Sequence, residues 1–391
     1  MPLALARPHH AAVAQVDDRD DRERRAHLSL LLPGTAPLTR DAAPEPEPTV
    51  GWDLGGVHVK AALVAGGLVR AVVQAPCPLW RGLPALDRSL AELPDWARGS
   101  ARHAVTMTGE LTDCFEDRTD GVARLSSWAA ANLAGRVAIY AGRAGFVAPA
   151  EAGGRAADVA SANWHATAAL VGRHLGQALL VDIGSTTADL IPVVGGRPEA
   201  AGYSDAERLE TGELVYTGVV RSHLVALSPE APWRGRRTRL MAETFANTAD
   251  VYRLTGDLPE GADQQHSPDM KGKSLPESET RLARTIGRDR GEGSAAEWRA
   301  LAGHFAEAQL RLLHDAAATV LSRPGLGSDA PLVACGAGAF LVARLAARLG
   351  RPCLTFTDLV AERIAGEPGW ASTCGPAVAV ALLGAADFPA A

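Results

Sequence analysis

The chain has 391 residues, 47% of them hydrophobic, and a formal net charge of −6. That length fits two or three domains with large cores, and the charge argues against nucleic acid or an anionic membrane as a partner. No run approaches the roughly 18 apolar residues of a spanning helix, and the start lacks the basic and apolar regions of a secretory leader. Five scattered cysteines (Cys77, Cys114, Cys335, Cys353 and Cys374) form no CxxC pair. They point to a reducing cytoplasm rather than to a disulfide frame or a structural zinc site.

Residues 1–48 mix Ala, Pro, Asp and Arg and close on PEPEP, the composition of a disordered extension. An α/β fold is expected from Thr49 onward, with one half over 49–177 and a second over 178–391. The first half opens on GWDLGGVHVKAALV, Gly51 to Val64, followed by Gly66-Gly67. This reads as strand, tight turn, strand. Lys60 lies in the returning strand. It is one of only three lysines, with Lys271 and Lys273, and a compact ammonium suits a phosphate.

Leu86 to Trp96 reads as a short helix broken near Pro94, and Ala104 to Thr108 as a strand. Glu110 and Asp113 follow it and fit two readings equally. They are a carboxylate pair facing a site, or first-turn acids of a helix capped by Thr108. Gly121 to Leu133 is expected to be helical and Val137 to Tyr140 a strand. Asp158 to Leu175 is expected to be one helix, carrying Asn163, Trp164 and His165.

Leu179 to Val194, LLVDIGSTTADLIPVV, repeats the first hairpin and ends at Gly195-Gly196. Asp53 and Asp182 stand at matching distances before their glycine pairs, so the chain contains an internal repeat. The second turn gathers Asp182, Gly184, Ser185, Thr186 and Thr187. A left-handed Gly184 would bare N–H groups for an anion, and the carboxylate and hydroxyls suit a phosphate with magnesium. Glu243 to Thr255 is expected to be a helix closed by Gly256, with Asp250 and Tyr252 on it. The polar stretch 258–298 is expected to be a mobile lid or a loop across a cleft, with a helix over Arg281 to Arg290. His266 and Asp269 within it are candidates to meet a metal or substrate. Glu297 to Ser322 is a long helix. Pro331 to Gly338 is a strand running into a Gly336-x-Gly338 turn and a helix, a third ligand element.

Two Asp-Gly hairpins and a late Gly-x-Gly turn resemble the actin/hexokinase/Hsp70 superfamily. GWDLGGVHVKA, TMTGELTDCF, ANWHA, VDIGSTTADL, TADVYRLTG and ACGAG further resemble its hydantoinase/oxoprolinase branch. They are similar to proteins of tetrahydromethanopterin-linked one-carbon metabolism, including the synthase of methanofuran or methylofuran biosynthesis. The resemblance implies two ribonuclease H-like halves facing a phosphate-binding cleft. It implies transfer of an aminomethylfuran-methyl group from its diphosphate to the phenol oxygen of γ-glutamyltyramine, releasing diphosphate. Mg2+ or a similar cation would be held by Asp53 and Asp182. Candidate phosphate contacts are Gly55, Gly56, Lys60, Gly184, Ser185, Thr186, Thr187, Gly336 and Gly338. Asp53, Asp182, Glu110 and Lys60 are the candidate catalytic residues, with Asp182 or Glu110 as base ahead of Asp189. Asn163, His165, Tyr216 and Asp250 are candidates for the substrate pocket, with Trp164, Tyr216 and Tyr252 as aromatic walls. The competing reading is an ATP-dependent kinase or hydantoinase-type hydrolase, and only there does ATP enter. A third is a nucleotide-gated binding protein. The oligomeric state stays open, a homodimer being one option.

Overall fold

A computed structural model describes residues 47–99, 101–366 and 369–389. The expected extension lies outside the described residues up to residue 46. The first sheet opens with three antiparallel strands, β1 (Thr49–Leu54), β2 (His58–Ala65) and β3 (Leu68–Pro76). It continues with β4 (Ala101–Met107), β5 (Gly135–Tyr140) and β6 (Phe146–Val147). Its order is β3-β2-β1-β4-β5-β6, with β1, β4 and β5 parallel.

The second sheet repeats the plan. β7 (Gln177–Ile183) and β8 (Ala188–Val194) form the hairpin, and β9 (Arg197–Pro198) and β10 (Leu214–Val215) pair with β8. After a small separate hairpin, β11 (Glu230–Trp233) and β12 (Arg236–Arg239), β13 (Leu332–Cys335) and β14 (Cys353–Thr355) lie parallel beside β7. Three antiparallel strands with parallel strands added beside the first is the ribonuclease H-like order. The chain is therefore an α/β protein with two such halves, of the actin/hexokinase/Hsp70 type.

The repeat extends to backbone angles. Gly66 and Gly67 have φ of 60° and 75°, and Gly195 and Gly196 have 58° and 74°. Both pairs close two-residue hairpins in which successive left-handed residues match the strand twist. Each Asp-bearing hairpin also turns identically at its tip. Gly55 N–H donates to His58 O at 3.0 Å, and Gly184 N–H donates to Thr187 O at 2.9 Å.

Two helices cross between the halves. Asn163–His174 leaves the first sheet and packs on β7, β8 and β9, whereas the last helix, Gly375–Asp387, packs back on β1, β2 and β4. The two helices also pack on each other. Small residues permit this closeness. A Cβ at Gly51 would overlap Ala377 O and Ala381, and one at Gly172 would overlap Gly196. The last helix is Ala- and Val-rich and buried along most of its length.

Four local expectations are corrected. The helix expected over 158–175 breaks at Ser161, which is left-handed (φ 52°), and restarts at Asn163. Thr108 caps no helix: the next one starts at Arg118, where the Asp117 side chain accepts from Asp120 N–H. The helix expected from Glu243 starts at Thr248, capped by Asn247, because the Asn247–Asp250 capping box is stronger than the propensity upstream. The polar stretch forms its helix over Leu275–Thr285, under a Ser274–Glu277 capping box. Among the described residues no helix is long and apolar enough to cross a membrane.

Gly51→Ala is expected to lower stability by about 3 kcal/mol or more, because helix backbone cannot yield to the new methyl. Gly154→Ala, whose Cβ would meet nothing within 4 Å, should stay within about 0.5 kcal/mol of the parent. Denaturant unfolding of both variants checks the contrast.

Candidate functional site

Strand pairing places the site residues. Asp53 on β1 sits opposite Lys60 on β2 and beside Thr106 on β4. At the equivalent positions of the second sheet, Asp182 on β7 sits opposite Asp189 on β8 and beside Cys335 on β13. Lys60 Nζ lies 3.3 Å from Asp53 Oδ2. Asp53 is buried, and its Oδ1 has no hydrogen-bond partner.

The charges of the two halves act on one another. Burial opposes the Lys60 ammonium, but Asp53, Cys374 and Asp182 together raise its pKa above the usual lysine value. Asp182 is pushed up to about 7 by burial and then by Asp189, with Lys60 pulling the other way. The sequence reading named Asp53, Lys60 and Asp182 as one cluster, and the structure sets Lys60 against Asp53 with Asp182 acting on its charge. The sequence reading missed Asp189's true partner, Arg208, a buried arginine ion-paired to it and stacked 4.8 Å over the Trp164 ring. It also missed Arg221, which together with burial and Lys60 holds His58 down at about 3. No pattern in the sequence links Arg208 to a strand nineteen residues earlier.

The hydroxyl loop is braced from behind. Val219 N–H donates to Gly184 O, and Val220 and Arg221 N–H donate to Ser185 O. Gly218 has no room for a Cβ against this loop. Ser185, Thr186 and Thr187 remain half-exposed. Gly184 does not use a left-handed φ; its role is to leave space, since a Cβ there would meet only Thr187 O at 3.7 Å. The left-handed glycine is Gly336 (φ 81°), where a Cβ would overlap Asp182 Oδ1 and Ile183 O. Gly338 N–H donates to Ile183 O at 2.8 Å, which ties the Gly-x-Gly turn to the Asp182 strand end.

Glu110 follows a segment held beside the first hairpin, where Thr108 and Gly109 N–H both donate to Leu54 O. It is buried and raised to about 7, chiefly by burial. Ser161 Oγ donates to its Oε1 at 2.7 Å, while Oε2 has no partner. Asp113 is exposed and does not join it.

The candidate pocket residues are dispersed. His165 accepts or donates at 2.9 Å with Tyr140 OH, is lowered to about 4 by burial and then Arg143, and lines a pocket of about 710 Å3. Arg143, Arg173, Phe146 and Arg197 share that pocket, and none of Asp53, Lys60 and Asp182 does. Trp164 is buried with no free face. Asn163 opens its helix, half-buried. Tyr216 is 70% exposed, and Tyr252 is buried. Asp250 is consumed by its capping box and by Arg281, whose Nε and Nη2 donate to Oδ1 at 2.9 and 2.7 Å. Asp269 pairs with Arg281 as well, and His266 is exposed apart from it. The polar stretch does cross between the halves: Gln265 reaches Val57 O and His58 Nε2 at 3.5 and 3.4 Å. Among the described residues no group of three or more His, Cys, Asp or Glu is placed to hold a metal unaided.

The hydantoinase/oxoprolinase family model matches residues 102–378. A Methanocaldococcus jannaschii protein named (4-{4-[2-(gamma-L-glutamylamino)ethyl]phenoxymethyl}furan-2-yl)methanamine synthase is 30% identical over 242 residues. The match covers 62% of this chain and 72% of that protein. A Methanococcus vannielii protein of the same name is 34% identical over 119 residues, 30% of this chain and 53% of its own. Among solved structures, nucleotide-free acetone carboxylase is similar over 86% of this chain and 70% of that one, at 10% identity and a TM-score of 0.49.

Arg208→Met leaves buried Asp189 without its counter-charge and is expected to cost about 3–5 kcal/mol. Adding Asp189→Asn should recover much of that loss. A double-mutant cycle in denaturant measures the coupling.

Proposed function

The chain belongs to the hydantoinase/oxoprolinase family, and on that premise we propose that it is the transferase forming the phenoxymethylfuran ether of methanofuran or methylofuran biosynthesis. Its donor would be the aminomethylfuran-methyl diphosphate and its acceptor γ-glutamyltyramine, with diphosphate released. The observation that carries this reading is the meeting of Lys60 with Asp53 and Asp182 at two matching hairpins. The name of those two relatives describes a phenol oxygen joined through a methylene to a furan, and this supplies the substrate class.

In the step, the methylene–oxygen bond to diphosphate breaks, the methylene–phenol oxygen bond forms, and the phenol proton passes to a carboxylate. A furfuryl-type carbon carries positive charge well, so the main demand is stabilisation of the leaving group. Lys60 sets an ammonium where that charge grows, and Ser185, Thr186 and Thr187 offer hydroxyl donors on a braced loop. Asp53 and Asp182 are the two carboxylates that would hold a magnesium ion. Asp53 has an oxygen without a partner, and Asp182 needs a counter-charge to ionise. Held there, such an ion would neutralise charge on the departing diphosphate.

Glu110 is the base in this reading. Asp189 is bound to Arg208 and is unsuited to it, and Asp182 serves the cation. A phenol titrates near 10, so a carboxylate raised toward neutrality is a better acceptor than an ordinary one.

The assay is diphosphate release by purified protein with magnesium, both substrates and no ATP. Release that requires both substrates, with the coupled ether seen by mass, is the expected result. Phosphate from ATP without any ether would replace this reading with the kinase or hydrolase one. Lys60→Met should lower kcat about 10²–10³-fold, the usual effect of losing one charge-stabilising donor.

The pH dependence has a definite sign. Burial disfavours the ionised Glu110, so its base form appears only as pH rises through about 7. Activity should climb through that range, and Glu110→Gln should remove the climb along with most of the rate.

A further inference from the structure

Ser161 breaks a helix that the sequence would otherwise continue, and it does so in a left-handed conformation that an L-residue enters at a cost. What that conformation achieves is a contact. The Ser161 hydroxyl lies 2.7 Å from Glu110 Oε1 and 3.3 Å from Asp205 Oδ2. Asp205 is fixed by two guanidinium groups, Arg118 Nη2 at 3.0 Å and Arg208 Nη2 at 2.9 Å. The same Arg208 holds Asp189, opposite Asp182 in the hairpin. A continuous polar chain therefore runs from Glu110 through Ser161, Asp205 and Arg208 to Asp189. Glu110 and Arg118 follow β4 of the first sheet. Asp205 and Arg208 lie on the helix Asp205–Thr211 of the second half.

One hydroxyl hydrogen is shared between two carboxyl groups. Asp205, held by two arginines, offers its Oδ2 as the second acceptor. When Glu110 is ionised, Ser161 donates to its Oε1 across the shorter distance. When Glu110 carries a proton, that proton can go to Ser161 Oγ while the hydroxyl turns to Asp205. In both protonation states Glu110 keeps a partner for Oε1 in the same serine.

We propose that Ser161 and Asp205 are positioning residues for Glu110: Asp205 orients the Ser161 hydroxyl, and the pair holds the Glu110 carboxyl for proton transfer in both protonation states. This rests on the proposed role of Glu110 as base. The groups facing the Glu110 carboxyl are Ser161, Asp205, Arg118 and its own main chain, and the close approach of Gly121, where a Cβ would overlap the Glu110 backbone, fixes where that residue stands. The two members of the pair act in opposite directions. Asp205 adds negative charge and favours the protonated carboxyl, whereas the Ser161 hydroxyl favours the ionised one.

The test follows the titration of Glu110 itself, by carbon NMR of full-length protein carrying carboxyl-labelled glutamate, with Glu110→Gln assigning the signal. Ser161→Gly removes the hydroxyl but accepts the left-handed backbone without strain, which offsets part of the cost of the lost hydrogen bond, so it should keep the fold. The Glu110 midpoint should rise in Ser161→Gly and fall in Asp205→Asn, each by about one unit. The midpoint of the pH–kcat profile should move in the same directions. Midpoints that stay put in both variants, or that move the same way in both, overturn the proposal. So does a parent Glu110 that titrates as an ordinary exposed carboxylate. Opposed midpoints in a protein that releases no diphosphate would leave the pairing intact and remove the transferase reading instead.

Discussion

The helix Gly375–Asp387 lies against β1 so closely that a single methyl group at Gly51 would enter its backbone. Gly384 meets the same sheet at Ala104 and Thr49, again with no space for a side chain. That contact brings the start of the last helix to the site. Gly375 abuts Cys335, which pairs with Asp182 on the neighbouring strand, while the rest of the helix rests on β1, which carries Asp53. The distance between the two hairpins is therefore set by the absence of side chains, and the polar groups inherit it. Packing fixes positions to a fraction of an ångström because cores have few voids.

Within that frame the two halves keep one geometry but carry opposite charge at one position. Asp53 faces a lysine across its hairpin, and Asp182 faces a second aspartate. The lysine satisfies its own half and also acts on the other. The second aspartate is neutralised from outside the sheet by Arg208. Buried like charges are costly unless they are paired, so the second half needs the helix Asp205–Thr211 for its electrostatics as well as its packing. That requirement draws Asp205, Ser161 and Glu110 into the same network.

Much of the fold was legible because it rests on local rules. Two Asp-x-Gly turns between apolar runs, each ending in a glycine pair, announced the hairpins, and their repetition announced the two halves. The Gly336-x-Gly338 turn was found from its strand-to-helix setting. What escaped the sequence was set by distant partners. Ser161 looks helical until Glu110 and Asp205 are beside it. Asp250 reads as a free acid until Arg281, 31 residues on, is buried against it. Gly184 reads as a left-handed turn residue, but its tip turn closes without one and Gly336 takes that conformation instead. Asp53, Lys60 and Asp182 were legible because strand register places them by counting, whereas Arg208 reaches Asp189 only through tertiary packing.

The exchange of helices also bears on how the chain is made. β1 leaves the ribosome roughly three hundred residues before the helix that covers it. Until then the face of β1 and β4 that receives the helix, lined by Gly51 and Ala104, is open. Nascent chains with such uncovered sheet surface are the ones that aggregate or need chaperone cover. The helix Gly375–Asp387, rather than the first half alone, completes the first hairpin's core, so that core waits on synthesis of the second half.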